Sequence, residues 1–172
     1  EKYKKPKKLA KVAIVGKYVE LKDAYISIHE SIEHAGYNQD TKVEITYIQS
    51  EDYDVSTLSK YDGILVPGGF GDRGIEGKLD AIKFARENKI PFLGICLGMQ
   101  TACIEFARNV LNYKDATSTE FNENTNYPII SLMTDQEDVV DLGGTMRLGA
   151  YPCVLKKESK AYDLYKKELI SE

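Results

Sequence analysis

The sequence predicts an α/β fold: a three-layer sandwich with a mostly parallel central sheet and helices on both faces. Short runs of β-branched residues alternate along the chain with stretches whose apolar residues repeat at helical spacing. Such alternation is typical of parallel sheets, because each helix crosses over one face to reach the next strand. A length of 172 residues, with 42% hydrophobic and 29% charged residues, is typical of one globular domain rather than a disordered chain.

The first half of the chain predicts two strands around one helix. Residues 11–16 are a β-branched run that ends at a glycine, as in a buried strand. Asp23 is a typical helix N-cap residue, and the helix after it should run to about Gly36, because glycine favours the position just past a helix. Residues 43–48 alternate apolar and polar side chains and predict the second strand.

Two further strand–helix pairs follow. Residues 63–66 and 90–95 predict the third and fourth strands, and residues 75–88 and 97–109 predict the helices after them. A polar, asparagine-rich connection comes next. Beyond it, strands are predicted over residues 128–133 and 144–155, and a last helix over residues 159–167.

The helix over residues 97–109 carries a regular apolar stripe, which predicts one buried face. Cys103 lies on that stripe and Cys153 lies in a predicted strand, so both are expected in the core. The predicted inward positions of the helix are Met99, Ala102, Cys103, Phe106, Ala107 and Val110.

Charge and cysteine content exclude several classes of protein. Residues 1–10 are lysine-rich and predict a solvated linker stub, with a binding arm as the alternative, while the whole chain has a formal charge of −4. The acidic body argues against binding to nucleic acid. We find neither an apolar run of membrane-spanning length nor a signal-peptide pattern, and expect no membrane partner and a cytoplasmic location. Dispersed cysteines and only two histidines favour reduced thiols and no metal site.

The segment Gly94-Ile-Cys-Leu-Gly98 lies between a predicted strand and a predicted helix. It has the G-x-S-x-G form of a nucleophile elbow, with cysteine in place of serine. Cys96 would lie at a helix N-terminus, where unpaired N–H groups favour a thiolate, and the Leu97 N–H would face a developing oxyanion. A buried structural cysteine beside a tight turn is the alternative.

The segment Pro67-Gly-Gly-Phe-Gly71 ends the preceding strand. Its glycines allow bare backbone amides to face a ligand, although a flexible turn would also explain them. Because ligand sites lie at the carboxyl ends of parallel strands, this segment and Cys96 should lie together. A nucleophile beside two amide donors is a layout for acyl transfer.

Charged residues elsewhere are weaker candidates. Arg147 could bind a carboxylate through a bidentate fork and Glu120 could pair with an ammonium, but exposed ion pairs would explain both. A catalytic cysteine also needs a base. His29 and His34 lie on the first predicted helix and are interpreted as surface residues, so the sequence has a nucleophile without an evident base.

Residues 94–100, Gly-Ile-Cys-Leu-Gly-Met-Gln, together with Pro67–Gly71, resemble the class I (triad) glutamine amidotransferases. More specifically, the chain resembles the C-terminal glutaminase domain of the CTP synthase family. This resemblance covers about residues 11–155. Four further stretches carry it: Val15-Gly-Lys-Tyr-Val-Glu20 with Asp23-Ala-Tyr25, Asp72-Arg-Gly-Ile-Glu-Gly77, Ser118-Thr-Glu-Phe121 and Asp141-Leu-Gly-Gly-Thr-Met-Arg-Leu-Gly149.

The resemblance implies a glutaminase. Cys96 would attack the side-chain amide of L-glutamine, form a glutamyl thioester and release ammonia, with the amides of Gly69 and Leu97 as the oxyanion hole. Glu120 and Arg147 would hold the α-amino and α-carboxylate groups of glutamine. The implied substrate-binding residues are Gly69, Leu97, Gly98, Met99, Gln100, Glu120 and Arg147.

The resemblance also implies partners outside this domain. No cofactor is expected within the domain itself. Ammonia would pass to an N-terminal synthetase domain that uses ATP and Mg²⁺ to convert UTP to CTP within a homo-oligomer. GTP, the activator of the family, would act near Phe70 and Arg73. The His-x-Glu pair of the family is expected just past the last helix, where the printed sequence stops, so residues 11–172 are interpreted as a truncated glutaminase domain.

Two alternatives remain. A catalytically silent binding module could keep the fold, and a different cysteine-elbow hydrolase could keep the nucleophile. Cys96 together with Glu120 and Arg147 favours the glutaminase over both.

Overall fold

The computed structural model describes residues 6–19, 21–132 and 149–171. The chain divides into two compact units, residues 1–131 and residues 132–172. No helix in the described ranges is long and apolar enough to cross a lipid bilayer.

A four-stranded parallel sheet forms the centre of the first unit. Its strands are β1 (Lys8–Gly16), β2 (Thr41–Gln49), β3 (Gly63–Val66) and β4 (Phe92–Gly94), in the order β2-β1-β3-β4. Residues 13–15 of β1 are entirely buried, because a central strand of a parallel sheet is covered on both faces. Since all strands run the same way, the residues that follow β3 and β4 emerge at the same end of the sheet.

Three helices cover the sheet. α1 (Ile26–Asn38) connects β1 to β2, α2 (Ile75–Glu87) connects β3 to β4, and α3 (Leu97–Asn109) follows β4. Because β2 and β4 lie on opposite sides of the central pair, right-handed crossovers place α1 and α2 on opposite faces. The predicted three-layer α/β fold with a parallel sheet is therefore confirmed. Short 3₁₀ helices at Lys22–Tyr25 and Val55–Lys60 complete the connections.

The main core lies between the sheet and α2. Ala13 and Val15 of β1 and Ile64 and Val66 of β3 share one face of the sheet, because alternate residues of a strand point the same way. A smaller cluster joins α2 to α3 through residues that include Leu79 and Leu97. The main cluster is completed by Leu58, Tyr61, Ala81, Ile82 and Ala85.

Helix α3 buries a different face from the one that its apolar spacing predicts. Met99, Cys103 and Phe106 are exposed, as is Val110, and their predicted burial is wrong. The buried face includes two polar residues, Thr101 and Glu105, which apolar periodicity cannot detect. The buried residues of α3 are Leu97, Gly98, Thr101, Ile104, Glu105 and Ala107.

Each buried polar residue of α3 has its own partners. The Thr101 hydroxyl donates to the Leu97 carbonyl oxygen at 2.9 Å. Arg86 of α2 binds Glu105 in a bidentate pair, with Nη2 donating to Oε1 at 2.7 Å and Nε donating to Oε2 at 3.0 Å. Asn109 Nδ2 donates to the same carboxylate at 3.1 Å. These bonds offset the cost of burying the Glu105 charge and hold α2 against α3.

The predicted position of Gly36 just past the end of α1 is also wrong, because the helix continues to Asn38. Gly36 is buried, and a Cβ atom there would lie 2.7 Å from the Thr41 carbonyl oxygen and 2.7 Å from Val43 Cγ2. Glycine is required at this position for the close approach of α1 to β2, and not for ending the helix.

A small parallel pair, β5 (Thr117–Ser118) and β6 (Pro128–Ile130), follows α3 in the first unit. Ile129 and Ile130 pack against the cluster between α2 and α3. This contact brings β6, which follows the asparagine-rich connection, back to the body of the unit.

The second unit contains an antiparallel pair, β7 (Pro152–Val154) and β8 (Leu169–Ser171). Between them in the chain is α4 (Lys160–Tyr165), where the sequence predicts a helix. Strand β8 was not predicted, and residues 144–148 of the predicted strand lie outside the described residues. Cys153 is exposed, so its predicted core position is wrong: a two-stranded pair has no covered face of its own.

Candidate active site

Cys96 lies between the end of β4 and the first turn of α3 and is the N-cap residue of that helix. Its backbone has φ 52° and ψ −111°. The Gly98 N–H donates to the Ile95 carbonyl oxygen at 2.9 Å, so Cys96 is the second residue of a tight turn with positive φ. Type II′ turns have this geometry and favour glycine there. A cysteine held in such a turn, with its side chain exposed, has the geometry of the predicted nucleophile elbow.

Two glycines make this turn possible. A Cβ atom on Gly94 would lie 2.5 Å from the Gly98 carbonyl oxygen, and a Cβ atom on Gly98 would overlap the carbonyl oxygen of Val66. The first turn of α3 therefore packs directly on the backbone of β3 and β4. Glycine is required at both positions for this close approach.

The glycine loop, defined as residues 67–73, follows β3 and lies against the nucleophile. A Cβ atom on Gly68 would lie 3.3 Å from Cys96 Cβ and 3.8 Å from Cys96 Sγ. A Cβ atom on Gly69 would lie 3.7 Å from Leu97 Cδ2. The two strand ends thus meet, as predicted, and the loop leaves bare backbone next to the thiol.

Two amides are available for an oxyanion. Leu97 is the first residue of α3, so its N–H has no acceptor within the helix. Within the ranges that the structure describes, neither the Leu97 N–H nor the Gly69 N–H donates to another group. Leu97 follows Cys96 in the chain, and Gly69 follows Gly68, whose backbone lies against Cys96.

Three long-range contacts anchor the glycine loop. Lys17 Nζ donates to the Phe70 carbonyl oxygen at 3.3 Å, and the Gly71 N–H donates to Glu120 Oε1 at 3.2 Å. Arg73 Nε pairs with Glu51 Oε1 at 3.0 Å. The Phe70 side chain, between these anchors, is 84% exposed.

Glu120 reaches the loop from the segment that follows β5. Its backbone N–H donates to Ser118 Oγ at 3.2 Å, which holds the turn after the strand. The carboxylate is exposed apart from its bond to Gly71. The structure therefore brings Glu120 to the same loop that lies against Cys96, whereas the sequence alone put it only in a distant motif.

These features match a known family. The sequence profile named Glutamine amidotransferase class-I matches residues 20–171 of the chain. The chain belongs to the class I glutamine amidotransferase family.

Several relatives of this amidotransferase chain are CTP synthases. The CTP synthase of Clostridium beijerinckii is 60% identical over an alignment that covers 100% of this chain and 33% of that protein. The CTP synthase of Herpetosiphon aurantiacus is 58% identical, covering 98% of this chain and 32% of that protein. The chain therefore spans about a third of the length of these relatives.

A solved structure is similar over almost the whole amidotransferase chain. It is the glutaminase domain of Trypanosoma brucei CTPS with bound acivicin. The two superimpose with a TM-score of 0.83 and 33% sequence identity, covering 95% of this chain and 65% of that chain.

The remaining predicted site residues of this class I amidotransferase differ in their surroundings. Gly98 is buried against β3, Met99 is 51% exposed and Gln100 is half-buried on the first turn of α3. Arg147 lies outside the described residues. Within the described residues, no group of three or more His, Cys, Asp and Glu side chains could hold a metal ion.

Neither histidine lies near the nucleophile of this amidotransferase. His29 Nδ1 is 2.9 Å from the Tyr47 hydroxyl of β2, at the opposite edge of the sheet from β4. Three strand spacings separate these edges, a distance of about 14 Å. His34 is exposed on the same helix as His29. The interpretation of both as surface residues holds, and no His-x-Glu occurs in this sequence.

A buried lysine near the loop was missed by the sequence analysis. Lys78 in the first turn of α2 is 2% exposed. Burial lowers the pKa of Lys78, the charge of Lys17 lowers it further, and the charge of Glu51 opposes both. Lys17 could have been noticed in the sequence, because it lies in Val15–Glu20, one of the stretches that resemble the CTP synthase family. No local sequence pattern marks Glu51 or Lys78.

Proposed function

We propose that this chain is the glutaminase domain of a CTP synthase and hydrolyses L-glutamine through a thioester on Cys96. The observation that carries the proposal is the turn at Cys96, which presents an exposed thiol at the first turn of α3 and against the glycine loop. Membership of the class I family and the CTP synthase relatives support the choice of glutamine as substrate.

The first half-reaction forms the thioester. The Cys96 thiolate attacks the side-chain carbonyl carbon of glutamine, the S–C bond forms, and the carbonyl oxygen becomes an oxyanion. The amides of Gly69 and Leu97 donate to that oxyanion. The C–N bond then breaks, and the nitrogen leaves as ammonia after it accepts a proton from a general acid.

The second half-reaction releases glutamate. Water adds to the thioester carbon, the same amides stabilise the second oxyanion, and the S–C bond breaks to regenerate the thiolate. A base must take a proton from the water. In the triad family that base is a histidine oriented by a glutamate, and His29 and His34 are both poorly located for this task.

The substrate is held by charged groups at its amino-acid end. Glu120 binds the α-ammonium and Arg147 binds the α-carboxylate of glutamine. The backbone of Gly98 and the side chains of Met99 and Gln100 line the path between these groups and Cys96. Because Glu120 already contacts the glycine loop, its ligand would lie next to that loop.

Ammonia would pass to a synthetase domain of the same protein, which uses ATP and Mg²⁺ to aminate UTP to CTP. GTP would activate the glutaminase at Phe70 and Arg73, for which the exposure of the Phe70 ring is the supporting observation. A cytoplasmic homo-oligomer is expected for the full-length protein. The alternative, a catalytically silent module of the same fold, retains Cys96 without substrate binding.

Substrate protection separates these two functions. Acivicin, the ligand in the Trypanosoma brucei structure, should label Cys96, and L-glutamine should slow the labelling in a saturable manner. D-Glutamine is the matched control and should protect weakly. Peptide mapping by mass spectrometry locates the adduct. Labelling of Cys96 without protection by L-glutamine would favour the silent module.

A further inference from the structure

We propose that Glu120 is also a positioning residue for the oxyanion hole, because it fixes the glycine loop that supplies the Gly69 amide. This inference rests on the proposed glutaminase function of the site. Its basis is the bond of 3.2 Å from the Gly71 N–H to Glu120 Oε1, which joins residues 49 positions apart in the chain.

Glu120 forms one half of a clamp on a single peptide group. The carbonyl oxygen of Phe70 and the N–H of Gly71 belong to the same peptide bond. Lys17 Nζ donates to that oxygen at 3.3 Å, while Glu120 accepts from that N–H. A cation at the negative end and a carboxylate at the positive end oppose any rotation of the peptide group, and both bonds are charge-assisted.

The loop needs such a clamp. Gly71 has φ 74° and Gly74 has φ 74°, so the chain changes direction at two glycines between β3 and α2. Glycine has little intrinsic preference for one backbone conformation. The Gly69 amide lies only two peptide groups before the clamped one, so rotation at the clamp would move this amide away from Cys96.

Glu120 is itself held firmly enough to act as an anchor. Its N–H bonds to Ser118 Oγ, and the neighbouring Thr119 N–H donates to the Ile130 carbonyl oxygen at 2.9 Å. Within the described ranges Gly71 is the one donor to the Glu120 carboxylate, which leaves Oε2 for a ligand. One carboxylate can therefore bind the substrate ammonium and fix the loop at the same time.

The test uses two reagents that carry no ammonium group, so substrate binding by Glu120 cannot contribute. p-Nitrophenyl acetate acylates the thiolate: the S–C bond forms through an oxyanion, the C–O bond breaks, and p-nitrophenolate leaves as an anion without needing a proton. Iodoacetamide alkylates the same sulfur and displaces iodide with no oxyanion at the reacting carbon. The ratio of the two rates at Cys96 therefore reports the oxyanion hole rather than the thiol.

The full chain is compared with four variants, three at positions 120 and 123 and one at Lys17. Glu120→Ala should lower the acylation rate about tenfold, a fraction of the 10²–10³ that loss of a whole oxyanion donor costs, and leave alkylation unchanged. Glu120→Gln keeps an acceptor oxygen for the Gly71 N–H and should recover most of the loss. Glu123→Ala, which removes an exposed acid three positions on, is the matched control and should behave as the wild type.

Equal acylation by the Glu120→Ala variant and the wild type would overturn the inference and leave the glutaminase proposal standing. Alkylation of wild-type Cys96 without any acylation would overturn both, because no oxyanion hole would then exist. Lys17→Met removes the other half of the clamp and should also slow acylation selectively, which keeps the inference testable if Glu120→Ala does not fold. An unchanged rate ratio in Lys17→Met would contradict the clamp.

Discussion

At the residue scale, the three cysteines differ in backbone setting and not in access. Cys96, Cys103 and Cys153 are all exposed, so exposure cannot single out a nucleophile. Only Cys96 is a helix N-cap residue, and its backbone neighbour in the glycine loop is Gly68. Reactivity should therefore follow the helix terminus.

Brief treatment with iodoacetamide should modify Cys96 well before the other two thiols, because Cys96 alone of the three lies at a helix N-terminus. Peptide mapping at short times measures the order of labelling. A Cys96→Ser variant, which keeps the other two thiols, is the control and should lose the fast phase. Equal rates at all three positions would contradict the assignment.

At the scale of single elements, the ion pair between Arg86 of α2 and Glu105 of α3 should stabilise the folded protein more than an exposed ion pair does. Arg86→Met leaves the buried Glu105 charge without its partner and should destabilise the protein by about 3 kcal/mol. Urea unfolding measures the change. The double variant Arg86→Met/Glu105→Met should recover much of the loss, because no buried charge remains.

The control for this pair is an exposed one. Lys157 and Glu168 have side chains that are 67% and 56% exposed, and Lys157→Met should change the free energy of unfolding by only about 0.5 kcal/mol or less. Similar costs for Arg86→Met and Lys157→Met would show that burial of Glu105 does not set the energy.

Helix α3 also shows where prediction from sequence ends. Its position and length were predictable from a strand that runs into an apolar repeat. Its buried face was not, because Thr101 and Glu105 look like surface residues until Arg86 is known to lie beside them. The prediction for Gly36 failed for a similar reason. A glycine that is required for close contact with a neighbouring strand cannot be told, from sequence alone, from a glycine that ends a helix.

The candidate site, like helix α3, could be predicted from the sequence only in part. The elbow and the glycine loop follow from short segments whose glycines have a local geometric reason, and both were predicted. The anchors of the loop, Lys17, Glu51 and the bond from Gly71 to Glu120, join residues that are far apart in the chain. No local pattern encodes such contacts, so only the folded chain reveals them.

At the scale of the whole molecule, the location of the histidines limits turnover. The 172-residue chain should react with electrophiles at Cys96 but release ammonia from glutamine slowly, on the order of 10⁴-fold below a chain that includes a His-x-Glu segment. Ammonia release by the two chains is the measurement. Comparable rates would redirect attention to His29 and contradict the distance argument.

Burial of Lys78 should make stability depend on pH. Because the pKa of Lys78 is lower in the folded protein than its unfolded value of 10.5, the unfolded chain binds more protons between these two pKa values. This lysine therefore costs stability at neutral pH, and the cost disappears as pH rises through the folded-state pKa towards 10.5.

Lys78→Met should accordingly be more stable than the wild type at pH 7, by about 1 kcal/mol, and the advantage should shrink by pH 10. Thermal or urea unfolding at both pH values measures it. Lys83→Met removes an exposed lysine from the same helix and should show no such pH dependence. An advantage that grows with pH would reverse the sign of the argument.

The backbone conformation at Cys96 lowers the stability of the fold while it positions the thiol for chemistry. A non-glycine residue at φ 52° and ψ −111° costs about 1–3 kcal/mol, so Cys96→Gly should melt at a higher temperature than both the wild type and Cys96→Ala while losing all thiol chemistry. Natural selection for a robust fold alone would thus favour replacing this cysteine. A gene copy released from selection for glutaminase activity should lose the nucleophile early and gain thermal tolerance as it does so.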